Sequence, residues 1–189
     1  MDELSRLRRA KEGDTAAFGE LLAQYQDRIF NLCRYLLGNR QDAEDAAQDA
    51  FVKAFRGLKR FEPAASFSTW LYRIAVNTCH DYRRRFFLRS LLHAPDGESV
   101  LEGLPSPAPC PETAYAARES LEALRAALTA LPVKLRLVII LKELEGLPYE
   151  DMAAVLEVSV GTVKSRLFRA REELKKKMRS QGTKQGPER

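Results

Sequence analysis

"YEDMAAVLEVSVGTVKSRLFRAR", Tyr149 to Arg171, reads as a short helix, a turn of about four residues and a longer helix, the helix-turn-helix layout. Ala153 is the small residue where the two helices approach, and Val158 falls in the turn. Val163 and Leu167, at i and i+4, face the core. The opposite face then presents Thr162, Lys164, Ser165, Arg166, Phe168 and Arg169. Such a helix fits the major groove of a duplex, with Arg pairing to guanine and Ser, Thr and Lys reaching base or phosphate. The competing reading is a solvated basic face on an ordinary amphipathic helix. Glu157 stands near a turn position where glycine is usual, and a left-handed backbone there costs on the order of 1 kcal/mol, so another turn geometry is open.

Outward from this segment, charge is uneven. The 189 residues carry a formal net charge of +5, yet Val158 to Arg189 alone holds ten Lys or Arg against three acids. A local excess of this size is a footprint for nucleic acid or another polyanion. Arg171 and Lys175 to Lys177 extend it as candidate phosphate contacts, which strengthen binding without selecting sequence. A hydrophobic fraction of 45% supports a core.

Upstream, the helical period dominates and the β-branched runs of a sheet are missing. Asp14 is the expected N-cap of one helix through about Leu37, with Phe18, Leu21, Leu22, Tyr25, Ile29, Leu32, Cys33 and Leu36 on its buried face, ended by Gly38-Asn39. A second helix is expected from about Asp42 to Leu58, and a third from Ser66 or Ser68 into "DYRRRF". Leu92 to Thr113, "LHAPDGESVLEGLPSPAPCPET", holds five prolines and four acids without a Lys or Arg; it reads as a flexible acidic linker. Helical segments follow at Ala114 to Leu131, Val133 to Glu145, Tyr149 to Leu156 and from Val160 onward. The expected fold class is all-α: a helical domain at 1–91, a linker at 92–113, a helix-turn-helix domain at 114–180 and a frayed tail at 181–189.

Two N-terminal stretches carry further chemistry. In "RQDAEDAAQDAFVKAF", Ala43, Ala47, Ala50, Phe51, Ala54 and Phe55 form the expected buried stripe. Asp42, Asp45 and Asp49 then share an exposed face with Gln48. Acids favour a helix start, but Asp49 lies beyond the first turn. The stripe either serves the dipole or docks on a basic protein surface. In "SFSTWLYRIAVNTCHDYRRR", Phe67, Leu71, Ile74, Ala75, Thr78 and Tyr82 make one face, and Arg73, Asn77, His80, Asp81 and Arg84 another. Aromatics interleaved with arginines suit a single strand, with rings stacking on bases. Of Phe61, Phe67, Trp70 and Tyr72, about two are expected at the surface; Asn77 can read a base edge.

"DAEDAAQDAF", "FSTWLYRIAVNTCHDYRRR" and "EGLPYEDMAAVLEVSVGTVKSRLFRAREEL" resemble, in order, the signatures of the extracytoplasmic-function (ECF) group of bacterial RNA polymerase sigma factors. The resemblance covers about 10–87 and 114–178. It implies two small helical domains that bind core RNA polymerase and promoter DNA. Asp42, Asp45, Gln48 and Asp49 match the segment that docks on the polymerase clamp helices. Phe61 to Arg85, with Phe61, Phe67, Trp70, Arg73, Asn77, Asp81 and Arg84, matches the region that opens and captures the minus-10 strand. Thr162, Lys164, Ser165, Arg166, Phe168 and Arg169 match the reader of the duplex minus-35 element. The linker matches the divergent connector that threads the polymerase cleft, and an anti-sigma factor is an implied partner. The loop "EPAAS", Glu62 to Ser66, departs from the pattern: only Glu62 and Ser66 are polar, so the base preference there is open.

The alternatives are a helix-turn-helix regulator binding operator DNA without polymerase, and a decoy that imitates a sigma domain to sequester a regulator. An enzyme is disfavoured, since no phosphate-cradling glycine loop or nucleophile motif occurs. No cofactor or metal is expected: Cys33, Cys79, Cys110, His80 and His93 have no ligand spacing. Three widely spaced cysteines argue for a reducing compartment. Without a signal-peptide-like start or an apolar run of about 18 residues, the expected location is the cytoplasm, with no membrane insertion.

Overall fold

Side-chain caps open the first two helices. The Asp2 carboxylate accepts from Ser5 N at 2.9 Å and opens α1, Glu3–Lys11; Asp14 does the same for Ala17 N and opens α2, Thr15–Ala23. These bonds hold the Asp14 carboxyl below the usual carboxylate range, the Ala17 N–H first and the Arg9 side chain next. The computed structural model describes residues 2–62, 66–92 and 123–182. Among them no strand occurs, and the fold is all-α. The expected linker, apart from Leu92, the nine residues before 123, and 183–189 lie outside the described residues.

The single helix expected from Asp14 to Leu37 is two. After α2 the chain turns at Gln24 and Tyr25, where Tyr25 N bonds back to Leu22 O at 2.8 Å, and α3 runs Gln26–Leu37. Tyr25 stands between the two helices at φ −110°, ψ −6°, and its hydroxyl donates to Glu3 of α1 at 2.8 Å. Because Phe18, Leu21, Tyr25, Ile29, Leu32 and Leu36 are buried across the break, the apolar period does not reveal it. Gly38, with φ +89°, ends α3. Asn39 then caps α4, Arg40–Gly57, accepting from Asp42 N at 2.7 Å.

α4 packs against α3 and α5, Phe67–Leu92. Its buried face is alanine: Ala43, Ala46, Ala47, Ala50 and Ala54. Small side chains let neighbouring helices approach, and this corrects the stripe expected from sequence. Phe51 is half-buried and Phe55 is 49% exposed, tilted against Phe18 at 5.1 Å. A 3-10 turn, Leu58–Arg60, follows α4. Cys33 of α3 and Cys79 of α5 are buried free thiols that meet, although 46 positions separate them in sequence. The hydrogen bond with Cys33, then burial, pushes the Cys79 thiol up.

The chain divides into two compact units. The second begins with α6, residues 123–129, and α7, Val133–Ile139. Buried Arg136 donates to the carbonyls of Thr129 and Leu131, satisfying acceptors that the end of α6 leaves open. α7 widens into a π-helical turn, Ile140–Leu144, with Glu145 N bonding to Ile140 O. Gly146, at φ +68°, reverses the chain. α8, Tyr149–Leu156, and α9, Val160–Gly182, follow.

Candidate nucleic-acid interface

α9 is fixed from one side. Val163, Leu167 and Ala170 are buried and α9 packs on α7, while Met152 and Val155 bury the inner face of α8. Ser159 caps α9, accepting from Thr162 N at 3.2 Å. The turn before it is left-handed: Glu157 has φ +52°, and Val158 N bonds to Ala153 O at 3.1 Å, a six-to-one closure of the α8 C-terminus. The strained geometry considered at Glu157 is therefore the one adopted.

The residues expected to face duplex DNA emerge on the other side. Lys164, Ser165, Phe168 and Arg169 are exposed, Phe168 by 68%; Thr162 and Arg166 are half-buried. The Ser165 hydroxyl donates to Thr162 O at 3.0 Å, so its oxygen retains acceptor capacity. Arg171 is differently placed. It is clamped to Glu143 by Nε at 3.1 Å and a second guanidinium nitrogen at 2.5 Å, and this bond raises its already high pKa. Lys175 pairs with Glu172 at 3.1 Å in an exposed i,i+3 bridge of small worth.

In the first unit the expected strand-capturing set is split. Phe61 and Phe67 are buried, with ring centres 6.0 Å apart edge to face, and each packs on Trp70 at 5.0 and 5.7 Å. Stacking either on a base would remove it from the core, so both act as packing. Tyr72 is likewise buried. Trp70 is half-exposed, and its indole lies so close to Gly57 that a Cβ there would meet it at 3.2 Å. Arg73, Asn77 and Arg84 are exposed, spaced so that Arg73, Asn77 and Arg84 share one helical face. Asp81 is half-exposed and engaged by neighbouring cations, 3.4 Å from Lys53 Nζ and 3.6 Å from Arg84. Ser66 is occupied as well: its hydroxyl caps α5 through Thr69 N at 3.1 Å. Pro63 to Ala65 lie outside the described residues.

On α4, Gln48 and Asp49 are exposed and Asp42 and Asp45 half-buried. Asp42 is tied to the Asn39 cap, Asp45 accepts from Gln41 at 3.3 Å, and Asp49 accepts from the Tyr82 hydroxyl at 3.0 Å. Burial and then this bond raise the Tyr82 phenol to about 12. Gln48 also borders an open groove of about 500 Å³ lined by Leu22, Phe30, Ala47 and Phe51. Sequence reading did not identify Lys53 as a bracing cation, or Lys142, whose ammonium lies over the Tyr149 ring. Among the described residues no cluster could hold a metal ion, and no helix is long and apolar enough to cross a membrane.

Residues 21–86 match the Sigma-70 region 2 family and residues 121–174 match Sigma-70, region 4. The ECF RNA polymerase sigma factor SigW of Bacillus subtilis is 35% identical, over 92% of this chain and 95% of its own length. The ECF RNA polymerase sigma-E factor of Escherichia coli is 38% identical, over 90% of this chain and 91% of its own. The sigma factor RpoE of Bartonella quintana, solved with the anti-sigma factor NepR, superimposes with a TM-score of 0.67 at 26% identity, covering 86% of this chain and 96% of that one. With both regions present in order along the chain, the protein belongs to the ECF group of RNA polymerase sigma factors.

Proposed function

We propose that residues 1–91 dock on core RNA polymerase and capture the opened minus-10 strand, while 114–180 read the duplex minus-35 element. Residues 92–113 connect the two. Asp42, Asp45, Gln48 and Asp49 supply the docking face, and the neighbouring groove gives it an apolar side that a purely acidic stripe lacks. Trp70, Arg73, Asn77 and Arg84 face the strand, with Phe61 and Phe67 supporting Trp70 from beneath and Asp81 holding Arg84 and Lys53. Thr162, Lys164, Ser165, Arg166, Phe168 and Arg169 face the minus-35 duplex. Nucleotide transfer belongs to the polymerase; this chain contributes recognition. An anti-sigma factor completes the partner set, as one does for the Bartonella quintana relative, and the site of action is the cytoplasm.

The observation that carries this reading is the sequence of surfaces on one chain: an acidic α4, an aromatic and arginine-bearing α5, and a one-sided basic α9. An operator-binding regulator uses only the last. The test is reconstitution of the full chain with core polymerase on a genomic template library. Discrete promoter-dependent transcripts are expected, sharing two upstream elements. Absence of such transcripts, when another sigma factor initiates with the same core, would overturn the proposal.

A further inference from the structure

Two cations converge on one ring at the junction of α7, α8 and α9. Lys142 Nζ lies 4.8 Å from the centre of the Tyr149 ring and Lys164 Nζ 5.5 Å from it. Lys142 also donates to Leu147 O at 3.2 Å, which fixes its head group. Among the described residues neither lysine takes part in an ion pair. The adjacent acid, Glu143, is committed to Arg171. Glu150 and Asp151 follow Tyr149 on α8 and are turned by about 100° and 200° from it around the helix axis. A ring quadrupole attracts each ammonium but does not neutralise it, being worth about 0.5–1 kcal/mol at an exposed site. Two like charges gathered outside any ion pair make a local positive potential that an anion relieves.

The position of this pair defines the anion. Lys164 stands in the first turns of α9, the half of a recognition helix that approaches the groove, and Tyr149 opens the helix that crosses the DNA backbone in this motif. We infer that Lys142 and Lys164, gathered on Tyr149, form a seat for a single backbone phosphate beside the minus-35 element. Lys142, outside the recognition helix, thereby sets the register in which Ser165, Phe168 and Arg169 meet base edges, and Lys164 positions rather than reads. This rests on the assignment of α9 to the minus-35 duplex.

The test uses holoenzyme reconstituted from the full chain and core polymerase, binding promoter fragments across a salt series. Lys142→Gln retains a donor for the Leu147 carbonyl but removes the charge. It should flatten the slope of log K against log salt by about 0.9 and lower affinity by the same factor on minus-35 and scrambled sequences. Lys142→Arg should restore both. Fragments with single methylphosphonate linkages should reveal one backbone position whose neutralisation reproduces the loss and adds nothing to it in Lys142→Gln or Lys164→Gln. An unchanged slope, a loss confined to one sequence, or additive losses would overturn the seat. Wild-type holoenzyme that does not distinguish the minus-35 element from a scrambled duplex would instead remove the assignment of α9, and the seat with it.

Discussion

α5 and α9 carry most of the candidate nucleic-acid chemistry and are held in contrasting ways. α5 is braced by its own polar and aromatic residues: Asp81 pairs with Lys53, Tyr82 bonds Asp49, Lys53 reaches the buried Thr78 hydroxyl at 3.0 Å, and Trp70 rests on Phe61, Phe67 and Gly57. α9 is braced by aliphatic side chains on one side and by the Arg171 clamp on Glu143, while its outward Phe168 and Arg169 are exposed and take part in no ion pair among the described residues. A strand-capturing surface has to hold rings in fixed positions before single-stranded DNA exists, whereas a duplex reader meets a preformed groove. Under the proposed assignment, stability and function are coupled on α5 and separable on α9.

The largest expected effect lies on α5. Trp70→Ala removes a half-buried indole from the Phe61 and Phe67 cluster and should cost about 3 kcal/mol, read as a fall in Tm, together with a loss of promoter opening in permanganate footprinting. Loss of opening without a fall in Tm would detach the ring from the core and break the coupling. Next is Arg169→Ala on α9. One base contact is worth about 1–3 kcal/mol, so minus-35-dependent initiation should fall on the order of 10- to 100-fold while the melting curve stays within about 0.5 kcal/mol of wild type. A large Tm change there would show that α9 is braced by its outward face after all.

Tyr82→Phe sharpens the comparison at smaller scale. Removing its bond to Asp49 should cost about 0.5–1 kcal/mol. The wild-type phenol is raised to about 12, as is Tyr25, whose shift comes from burial and then from Glu3. A raised phenol pKa means that the fold favours the neutral form. That stabilisation is complete below the ordinary tyrosine value of about 10 and is lost as pH rises toward 12. Denaturant titrations between pH 10 and 12 should therefore show a shallower loss of stability in Tyr82→Phe than in wild type. Identical slopes would mean that the fold, through burial and the Asp49 bond together, does not favour the neutral phenol.

The helix-turn-helix was legible because its boundaries are chemical: Gly146 and Pro148 stop one helix, Ser159 caps the next, and Val163 and Leu167 repeat at one turn. The break at Tyr25 was not, because the apolar repeat runs through it and the side-chain bond made there is to Glu3, 22 residues away. Helix α1 has only Leu7 and Ala10 buried, too thin a stripe to stand out. At the candidate site, residue type did not separate stacking from packing: Phe61 and Phe67 have the chemistry of a base platform and the burial of core. Nor did it show which charges spend themselves internally, since Asp49 with Tyr82 and Asp81 with Lys53 are pairings between helices. Lys142 escaped notice because it precedes the motif and acquires its meaning from Tyr149.

The smallest effect expected concerns the turn that aims α9. Glu157 occupies the left-handed region at φ +52°, which costs a residue with a Cβ about 1–2 kcal/mol. Glycine there relieves that strain but restores about 0.5–1 kcal/mol of unfolded-state entropy. Glu157→Gly should therefore raise stability by about 0.5 kcal/mol in chemical denaturation and leave minus-35 affinity unchanged. If affinity falls instead, the turn rather than the contacts of Val163, Leu167 and Ala170 fixes the angle of α9. The outward face would then depend on local backbone strain as closely as α5 depends on its polar braces.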